Sequence, residues 1–319
     1  MSTATYYLPV QDNIRLVEER ILSQADGYHP DLATALRHLL SSGGKRVRPT
    51  VALLVGRMLG AEADQLVTLA AAIELLHTAT LVHDDLIDSA LLRRGIPTLN
   101  ARWTPAATIL TGDFLFARSA ALAAEIKSVE VMRLFAKTLA IIVNGEITQL
   151  FSGRSLVNRE DYFRRIYAKT ASLFETASLS AALLSPAKRE VIEAARRFGY
   201  EIGLAFQIVD DVLDFTGEQA TVGKPVGSDL RQGLITLPAI IYLEAHPTDR
   251  QCLLEGDHRD AAQLEALITA ISESSAIAYS LAEATHFVER SLAALSELPA
   301  TSERASLEEL ARYIVERRL

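Results

Sequence analysis

The chain has 319 residues, of which 49% are hydrophobic, a formal net charge of −8 and a single cysteine. The negative charge argues against nucleic acid as a partner, because proteins bind phosphate backbones through basic surfaces. One cysteine excludes an internal disulfide and suits a reducing compartment, and we therefore expect a cytoplasmic protein.

The sequence shows no sign of division into separate domains. No linker rich in proline, glycine or serine and no run of charge interrupts it, so we expect a single domain over residues 1–319. Residues 1–13 lack the basic and apolar regions of a signal peptide. Since no uncharged apolar run reaches about 18 residues, we also expect no integral membrane segment.

Hydrophobic periodicity predicts helices along nearly the whole chain, and strand signals are absent. Several of these segments are apolar on more than one side, which is typical of helices at the centre of a bundle. The predicted fold class is therefore all-α. In chain order the predicted helices are Val10–Gln24, Asp31–Leu40, Arg48–Leu59, Ala63–Asp88, Ala106–Ala124, Glu130–Phe151, Arg159–Leu184, Ala187–Phe215, Leu230–Glu244, Ala261–Ser272, Ala276–Leu295 and Ser306–Arg317.

A basic turn at residues 43–49, which read Gly-Gly-Lys-Arg-Val-Arg-Pro, leads into one of these helices. Its arginines offer bidentate forks to phosphate, and its lysine offers a point charge. Further basic residues follow at Arg93, Arg94, Lys169 and Lys224. Taken one at a time, each of these elements is typical of a solvated surface.

Two copies of the pattern Asp-Asp-x-x-Asp stand inside apolar stretches that are predicted as helix. On a helix the first and last aspartates of each copy lie one turn apart on one face, and the middle one lies about 100° round. A solvated acidic face would have polar neighbours, whereas leucine, isoleucine and valine flank both copies. The six residues are Asp84, Asp85, Asp88, Asp210, Asp211 and Asp214.

Carboxylates crowded beside a core raise one another's pKa unless cations neutralise them. Oxygen ligands without a nearby pair of cysteines or histidines favour Mg²⁺, whose coordination is usually completed by water and substrate phosphates. Together with the basic elements, the aspartates therefore predict a magnesium site that binds a diphosphate.

These ordered motifs resemble a known family, the trans-isoprenyl diphosphate synthases, also called polyprenyl synthetases. The resemblance runs from about Gly43 to Pro238 and includes the basic turn, both aspartate motifs and the Arg-Arg-Gly tail of the first. It also includes Gly-Glu-x-x-Gln at 145–149, Lys-Thr at 169–170, Gly-Lys at 223–224 and Gly-Ser-Asp-Leu at 227–230. One departure is Leu234, which stands where many short-chain members have lysine and looks like the medium- and long-chain bacterial branch.

The resemblance implies a bundle of about ten or more helices around a central cavity. It implies a prenyltransferase that condenses isopentenyl diphosphate with an allylic diphosphate, with three Mg²⁺ ions in each active site. It also implies a homodimer, or an assembly with a small partner subunit. A non-catalytic prenyl-binding subunit stays an alternative, although such subunits lose aspartates that are present here. Terpene cyclases share the ionisation step but normally lack the basic turn.

Roles for single residues follow from the same resemblance. Asp84, Asp88 and Asp210 would bind Mg²⁺ directly, with Asp85, Asp211 and Asp214 beside them. Isopentenyl diphosphate would be held by Lys45, Arg48, His77 and Arg94, and the allylic diphosphate by Arg93, Lys169 and Lys224. Thr170 and Gln207 would offer oxygen dipoles to the allylic cation, next to Lys169. For His77 a packed core histidine stays the alternative, although it lies two turns before Asp84 on the same predicted face.

Product length is expected to depend on the helix that bears Asp84. One turn before that residue stand Ala79 and Thr80, which are too small to block a growing prenyl tail, whereas short-chain members commonly have an aromatic residue there. We therefore expect a product of about C30 to C50, with a C20 geranylgeranyl or C15 farnesyl product as the alternative. The candidate walls of the tail path are Leu76, Ile73, Ile142, Thr138 and Phe135.

Overall fold

The computed structural model describes residues 5–41, 44–93, 95–152, 158–217, 225–255 and 261–316. More than ten helices lie in these ranges, and the predicted all-α class is confirmed. The helices are α1 (Gln11–Leu22), α2 (Pro30–Ser41), α3 (Val47–Leu59), α4 (Ala63–Ile87), α5 (Pro105–Glu125), α6 (Val129–Ser152), α7 (Arg159–Ile166), α8 (Ser172–Leu183), α9 (Arg189–Thr216), α10 (Ser228–Arg231), α11 (Leu237–Ala245), α12 (Pro247–Glu255), α13 (Ala261–Glu273), α14 (Ala276–Ser296) and α15 (Ser302–Glu316). Two short 3₁₀ turns, at Leu8–Val10 and Ser23–Ala25, flank α1, and a π-helical turn, Tyr167–Ala171, joins α7 to α8.

Several details of the helical prediction are wrong. Helix α12 was not predicted, and the predicted helix Arg159–Leu184 is interrupted by the π-helical turn Tyr167–Ala171. A small antiparallel hairpin joins β1 (Leu92–Arg93) to β2 (Ile96–Pro97), although no strand was expected. Strands of two residues are too short to show the alternation that identifies a strand in a sequence. Their turn includes Gly95 at a φ of 74°, a left-handed conformation that glycine adopts without steric cost.

Another wrong detail is the predicted helix Leu230–Glu244, which the structure divides into α10 and α11. Helix α10 ends at Arg231, and Gly233 then takes a φ of 85°. Helix α11 begins at Leu237, with Pro238 in its first turn, where a missing backbone N–H costs nothing. Glycine and proline therefore separate two helices that apolar content alone merged into one.

The chain forms two compact units, which are described separately below. The first unit contains Met1–Leu139, Leu173–Gly199 and Ala293–Leu310, and the second contains Ala140–Ser172, Tyr200–Leu292 and Ala311–Leu319. Helices α6 and α9 each contribute residues to both units. The expectation of one domain over residues 1–319 stays a prediction.

Helix α4 is the centre of the first unit. It packs against α1, α3 and α5, and its middle is buried on every side, including the small residues Ala70, Ala71 and Ala72. Glycines allow two close helix approaches in this unit. A Cβ atom on Gly199 would lie 2.7 Å from the carbonyl oxygen of Phe174, and one on Gly112 would overlap the ring of His83. This packing holds the C-terminal end of α4, which bears the first aspartate motif.

The second unit contains the C-terminal part of α9, which bears the second aspartate motif. Beside it, α6 comes close to the π-helical turn at Gly145, where an added Cβ would lie 2.6 Å from the Cβ of Ala168. Turns of this kind are rare and often occur at functional sites. Lys169 and Thr170 both belong to this one.

By length and composition alone, three of the described helices are apolar enough to cross a membrane: α4, α5 and Val129–Phe151 of α6. In α4, 78% of the most apolar 18-residue stretch is buried inside the protein, so core packing accounts for its composition. The corresponding share is 39% in α5 and 17% in α6. The expectation of no integral membrane segment therefore receives no support from composition and stays a prediction.

Candidate active site

The basic turn of the first unit is fixed by Arg46, whose backbone lies in the left-handed region at a φ of 46°. Its guanidinium donates to Glu18 at 3.0 Å, to the buried Glu74 at 2.9 Å and to the carbonyl oxygen of Leu40 at 3.1 Å. Burial alone would lower the pKa of Arg46, but Glu74 and Glu18 raise it above its usual value. The role of Arg46 is not evident from local sequence, because its carboxylate partners lie 28 residues away on either side.

Arg48 and His77, both predicted to bind a diphosphate, lie together in the structure. Arg48 donates from Nη1 to Nε2 of His77 at 3.1 Å, and its guanidinium stands 4.7 Å above the ring of Phe174. Lys45 is exposed on the same turn. The structure therefore places at least two predicted ligands for one diphosphate side by side.

The first aspartate motif lies at the C-terminal end of α4, where Asp88 is the capping residue. Asp85 is buried and forms an ion pair with Arg93, whose Nη2 and Nε lie 2.8 and 2.9 Å from its Oδ1. Arg93 comes from β1, so the small hairpin supplies the counter-charge for the middle aspartate. Arg94, the next predicted diphosphate ligand, lies outside the described residues.

The second aspartate motif lies in the last two turns of α9. Asp211 is 3% exposed, and both oxygens of its carboxylate accept hydrogen bonds. Gln207 donates from Nε2 to Oδ1 at 2.8 Å, and the hydroxyl of Tyr162 donates to Oδ2 at 2.7 Å. Thr170 in turn donates to Oε1 of Gln207 at 2.5 Å. Three predicted site residues are thus joined in one network with Tyr162, which the sequence analysis missed.

Burial raises the pKa of Asp211 above its usual value, and the nearby charge of Asp229 adds to the rise. The hydrogen bonds from Gln207 and Tyr162 oppose it, because they favour the carboxylate form. Burial and the charge of Asp211 likewise raise the pKa of Tyr162. The hydroxyl of Tyr162 therefore stays protonated and acts as a donor.

Two further predicted residues of the second unit, Asp214 and Lys169, have defined neighbours. Asp214 accepts a hydrogen bond from the backbone N–H of Asp229 at 3.1 Å, which holds the start of α10 against the end of α9. Lys169 pairs with Glu146 at 2.8 Å. Lys224 lies outside the described residues.

Among the described residues, no three histidine, cysteine, aspartate or glutamate side chains form a cluster able to hold a metal ion by themselves. The middle aspartates, Asp85 and Asp211, are engaged with Arg93 and with Gln207 and Tyr162. In each motif the first and last aspartates lie one turn apart on the same helix, and Asp214 also accepts a hydrogen bond from the backbone N–H of Asp229.

The chemistry of these two helix ends fits a divalent cation. A helix C-terminus carries partial negative charge, which disfavours carboxylates and favours cations. The last turns of α4 and α9, all described, contain no basic residue. Carboxylate oxygens are ligands of hard ions, and Mg²⁺ sites with few protein ligands are usually completed by water and phosphate.

Comparisons with known proteins agree with the resemblance noted from the sequence. The family model described as "Polyprenyl synthetase" matches residues 29–273. The chain is 37% identical to "Heptaprenyl diphosphate synthase component 2" of Geobacillus stearothermophilus, with 99% of each chain covered. It is 35% identical to "Octaprenyl diphosphate synthase" of Escherichia coli, with 88% of each chain covered.

Two solved structures have similar folds. Heptaprenyl diphosphate synthase from Staphylococcus aureus superposes with a TM-score of 0.92 at 34% identity, over 97% of this chain and 98% of the other. Polyprenyl synthase from Caulobacter crescentus, solved in complex with calcium and isoprenyl diphosphate, also gives a TM-score of 0.92 at 34% identity. That alignment covers 98% of this chain and 97% of the other.

Proposed function

The chain belongs to the polyprenyl synthetase family, and from this premise we propose that it condenses isopentenyl diphosphate with an allylic diphosphate into an all-trans polyprenyl diphosphate. The observation that supports this most strongly is the pair of carboxylate motifs at two helix C-termini whose last turns lack a basic residue. Each helix end requires positive charge, and a metal–diphosphate complex provides it. We propose that the two units act as one catalytic domain in the cytoplasm.

The proposed metal ligands are Asp84, Asp88 and Asp210, and the proposed metal is Mg²⁺, with three ions in each active site. When bound, Mg²⁺ would neutralise the charge that develops on the departing diphosphate. Asp85, Asp211 and Asp214 hold neighbouring groups in place instead of binding the ions. Their partners fix the ends of both helices and so orient the ligands.

For the substrates we propose two separate basic pockets. Lys45, Arg48, His77 and Arg94 would bind isopentenyl diphosphate, and Arg93, Lys169 and Lys224 the allylic diphosphate. Arg93 and Lys169 each have a carboxylate partner, Asp85 and Glu146, so a diphosphate would share or replace these contacts. Thr170 and Gln207 would place oxygen dipoles near the cation left when the C–O bond of the allylic substrate breaks.

The first prediction tests the reaction and its metal ligands. Purified protein should extend an allylic diphosphate with labelled isopentenyl diphosphate in Mg²⁺ and lose this activity in chelator. Asp84→Ala and Asp210→Ala should each lower turnover by about a thousandfold, because removing a group that stabilises developing charge costs about 10²- to 10³-fold or more. Asp64→Ala, which removes an exposed carboxylate from the first turn of α4, is the control. Near-normal turnover of either motif variant at saturating Mg²⁺ contradicts the ligand assignment.

The second prediction separates the two diphosphate pockets. Arg48→Ala should chiefly raise the KM for isopentenyl diphosphate, because its guanidinium and His77 form one cluster. Lys224→Ala should chiefly raise the KM for the allylic substrate. Steady-state kinetics with each substrate varied in turn measures both values. Equal effects of both variants on both substrates would remove the basis for two pockets.

For assembly we propose a homodimer. In the second unit, α6 exposes an apolar stripe formed by Val143, Ile147, Leu150 and Phe151, and Phe151 is 87% exposed. The spacing of these residues places them on one face of the helix. Such a face is expected to be covered by a second protein surface. The relative named "component 2" makes a small partner subunit the alternative occupant.

The third prediction therefore concerns the mass in solution. Light scattering at micromolar concentration should give twice the chain mass, and Leu150→Asp should shift the protein towards monomer because a charge would have to be buried. Ile109→Asp introduces the same charge at an exposed apolar position of α5, outside the stripe on α6, and its mass is measured for comparison. A fully active monomer of the wild-type chain would contradict the proposal, and activity only with a second polypeptide would favour the partner subunit.

For product length we propose about C30 to C50, in agreement with relatives named as heptaprenyl and octaprenyl diphosphate synthases. In α4, Ala79, Leu76 and Ile73 are fully buried, and no large side chain occupies position 79. One isoprene unit is roughly 5 Å long when extended, close to the rise of a helix turn, so each turn corresponds to about one unit. A tail that passes along α4 would therefore extend several turns beyond the metal site.

The fourth prediction is that Ala79→Phe shortens the product to C15 or C20 while largely preserving the first condensation. The introduced ring would lie across the proposed path of the tail one turn from Asp84. Chromatography of the labelled products measures their length. Ala72→Phe, two turns further along α4, should give products of intermediate length if each turn corresponds to about one unit. An unchanged product distribution in Ala79→Phe would show that the tail does not pass this turn.

A further inference from the structure

We propose that Tyr162 is a positioning residue of this reaction: through Asp211 its hydroxyl sets the direction of the Gln207 amide and holds the metal-binding end of α9. The inference rests on the proposed function. Tyr162 is only 1% exposed, so it does not contact substrate. It acts through the carboxylate that it contacts, at 2.7 Å.

The two oxygens of Asp211 accept hydrogen bonds from two different side chains. Oδ2 accepts from the hydroxyl of Tyr162, and Oδ1 accepts from the amide of Gln207 at 2.8 Å, so the carboxylate links these two side chains. An amide presents a donor on one end and an acceptor on the other. Because the NH₂ end of Gln207 is held by Asp211, its carbonyl oxygen faces Thr170, at 2.5 Å.

The direction of this amide matters for the chemistry. A carbonyl oxygen near an allylic cation stabilises positive charge, whereas an NH₂ group in its place would repel it. Without the Tyr162 hydroxyl, Asp211 is free to turn its unsatisfied oxygen towards other donors and to release Gln207. The hydroxyl of Tyr162 therefore determines the sign of the dipole that Gln207 presents beside Thr170.

The π-helical turn between α7 and α8 changes the direction in which Thr170 points relative to Tyr162. Tyr162 and Thr170 are eight residues apart, which in a regular α-helix would place them about 80° apart around the axis. A π turn accommodates one additional residue, which reduces this difference to roughly 20°. Both side chains then reach the same neighbour, α9, at Asp211 and Gln207. This unusual turn is what allows one network to include both residues.

The ring of Tyr162 is held by contacts that do not involve its hydroxyl. The guanidinium of Arg165 lies 5.6 Å from the ring centre and donates to the carbonyl oxygen of Ile235 at 2.6 Å. The ring of Phe163 makes an edge contact at 5.4 Å. These contacts fix the ring independently of the hydroxyl, so replacing Tyr162 by phenylalanine removes one hydrogen bond and leaves the packing in place.

The test compares Tyr162→Phe with Tyr242→Phe. Tyr242 also donates to an aspartate of the second unit, Asp249, at 2.8 Å, so the control makes the same chemical change away from α9. Mn²⁺ affinity, measured by electron paramagnetic resonance without substrate, should fall about ten- to a hundredfold in Tyr162→Phe, the range found for outer groups that orient metal ligands. The kcat should fall similarly, with the KM for isopentenyl diphosphate unchanged within about twofold. Tyr242→Phe should match wild type, and equal values for the two variants would overturn the proposal.

A double-mutant cycle separates positioning from a general loss of stability. If Tyr162 acts through Asp211, then Tyr162→Phe should add no further loss of Mn²⁺ affinity to Asp211→Asn, and additive losses would overturn the proposal. The melting temperatures of both tyrosine variants should agree within a few degrees. The Mn²⁺ measurement needs no turnover, so it decides the role of Tyr162 even if the wild-type chain fails to condense the two diphosphates, which would refute the proposed function alone.

Discussion

The placement of carboxylates at helix C-termini is the constraint on which the rest of the structure depends. Helices α4 and α9 both end in an Asp-Asp-x-x-Asp motif, and neither last turn contains a basic side chain. Partial negative charge at a helix C-terminus adds to that of the aspartates. Folding alone does not favour this arrangement, and a bound cation makes it favourable. The surrounding elements can be understood as supports that keep these helix ends ordered.

The two units support their middle aspartates in different ways. In the first unit Asp85 has a cationic partner, Arg93, which the β1–β2 hairpin provides. In the second unit the hydrogen-bond donors to Asp211 within the described residues are neutral, Gln207 and Tyr162, and burial raises its pKa against the opposing charge of Arg165. The charged partner, Arg93, adds a basic group beside the first aspartate motif. The neutral partner Gln207 instead connects the second motif to Thr170.

Local sequence patterns were sufficient for the fold class, for most helix positions and for the aspartate motifs, because spacing on a helix determines which side chains share a face. They were insufficient for Tyr162, which lies 49 residues from Asp211 and contacts it only after folding. Arg46 was missed for the same reason, since Glu18 and Glu74 lie on other helices. The hairpin at Leu92–Arg93 was too short for a periodic signal, and apolar content concealed the break between α10 and α11.

The most direct test of this account is a crystal structure of the protein with Mn²⁺ and an unreactive allylic diphosphate analogue, in which anomalous scattering locates the ions. We expect Mn²⁺ bound to Asp84 and Asp88 and to Asp210, with the diphosphate completing the coordination. We also expect Asp85 to remain paired with Arg93, and Asp211 with Tyr162 and Gln207. Ions bound elsewhere, or an Asp211 that has left Tyr162 to become a metal ligand, would contradict the account.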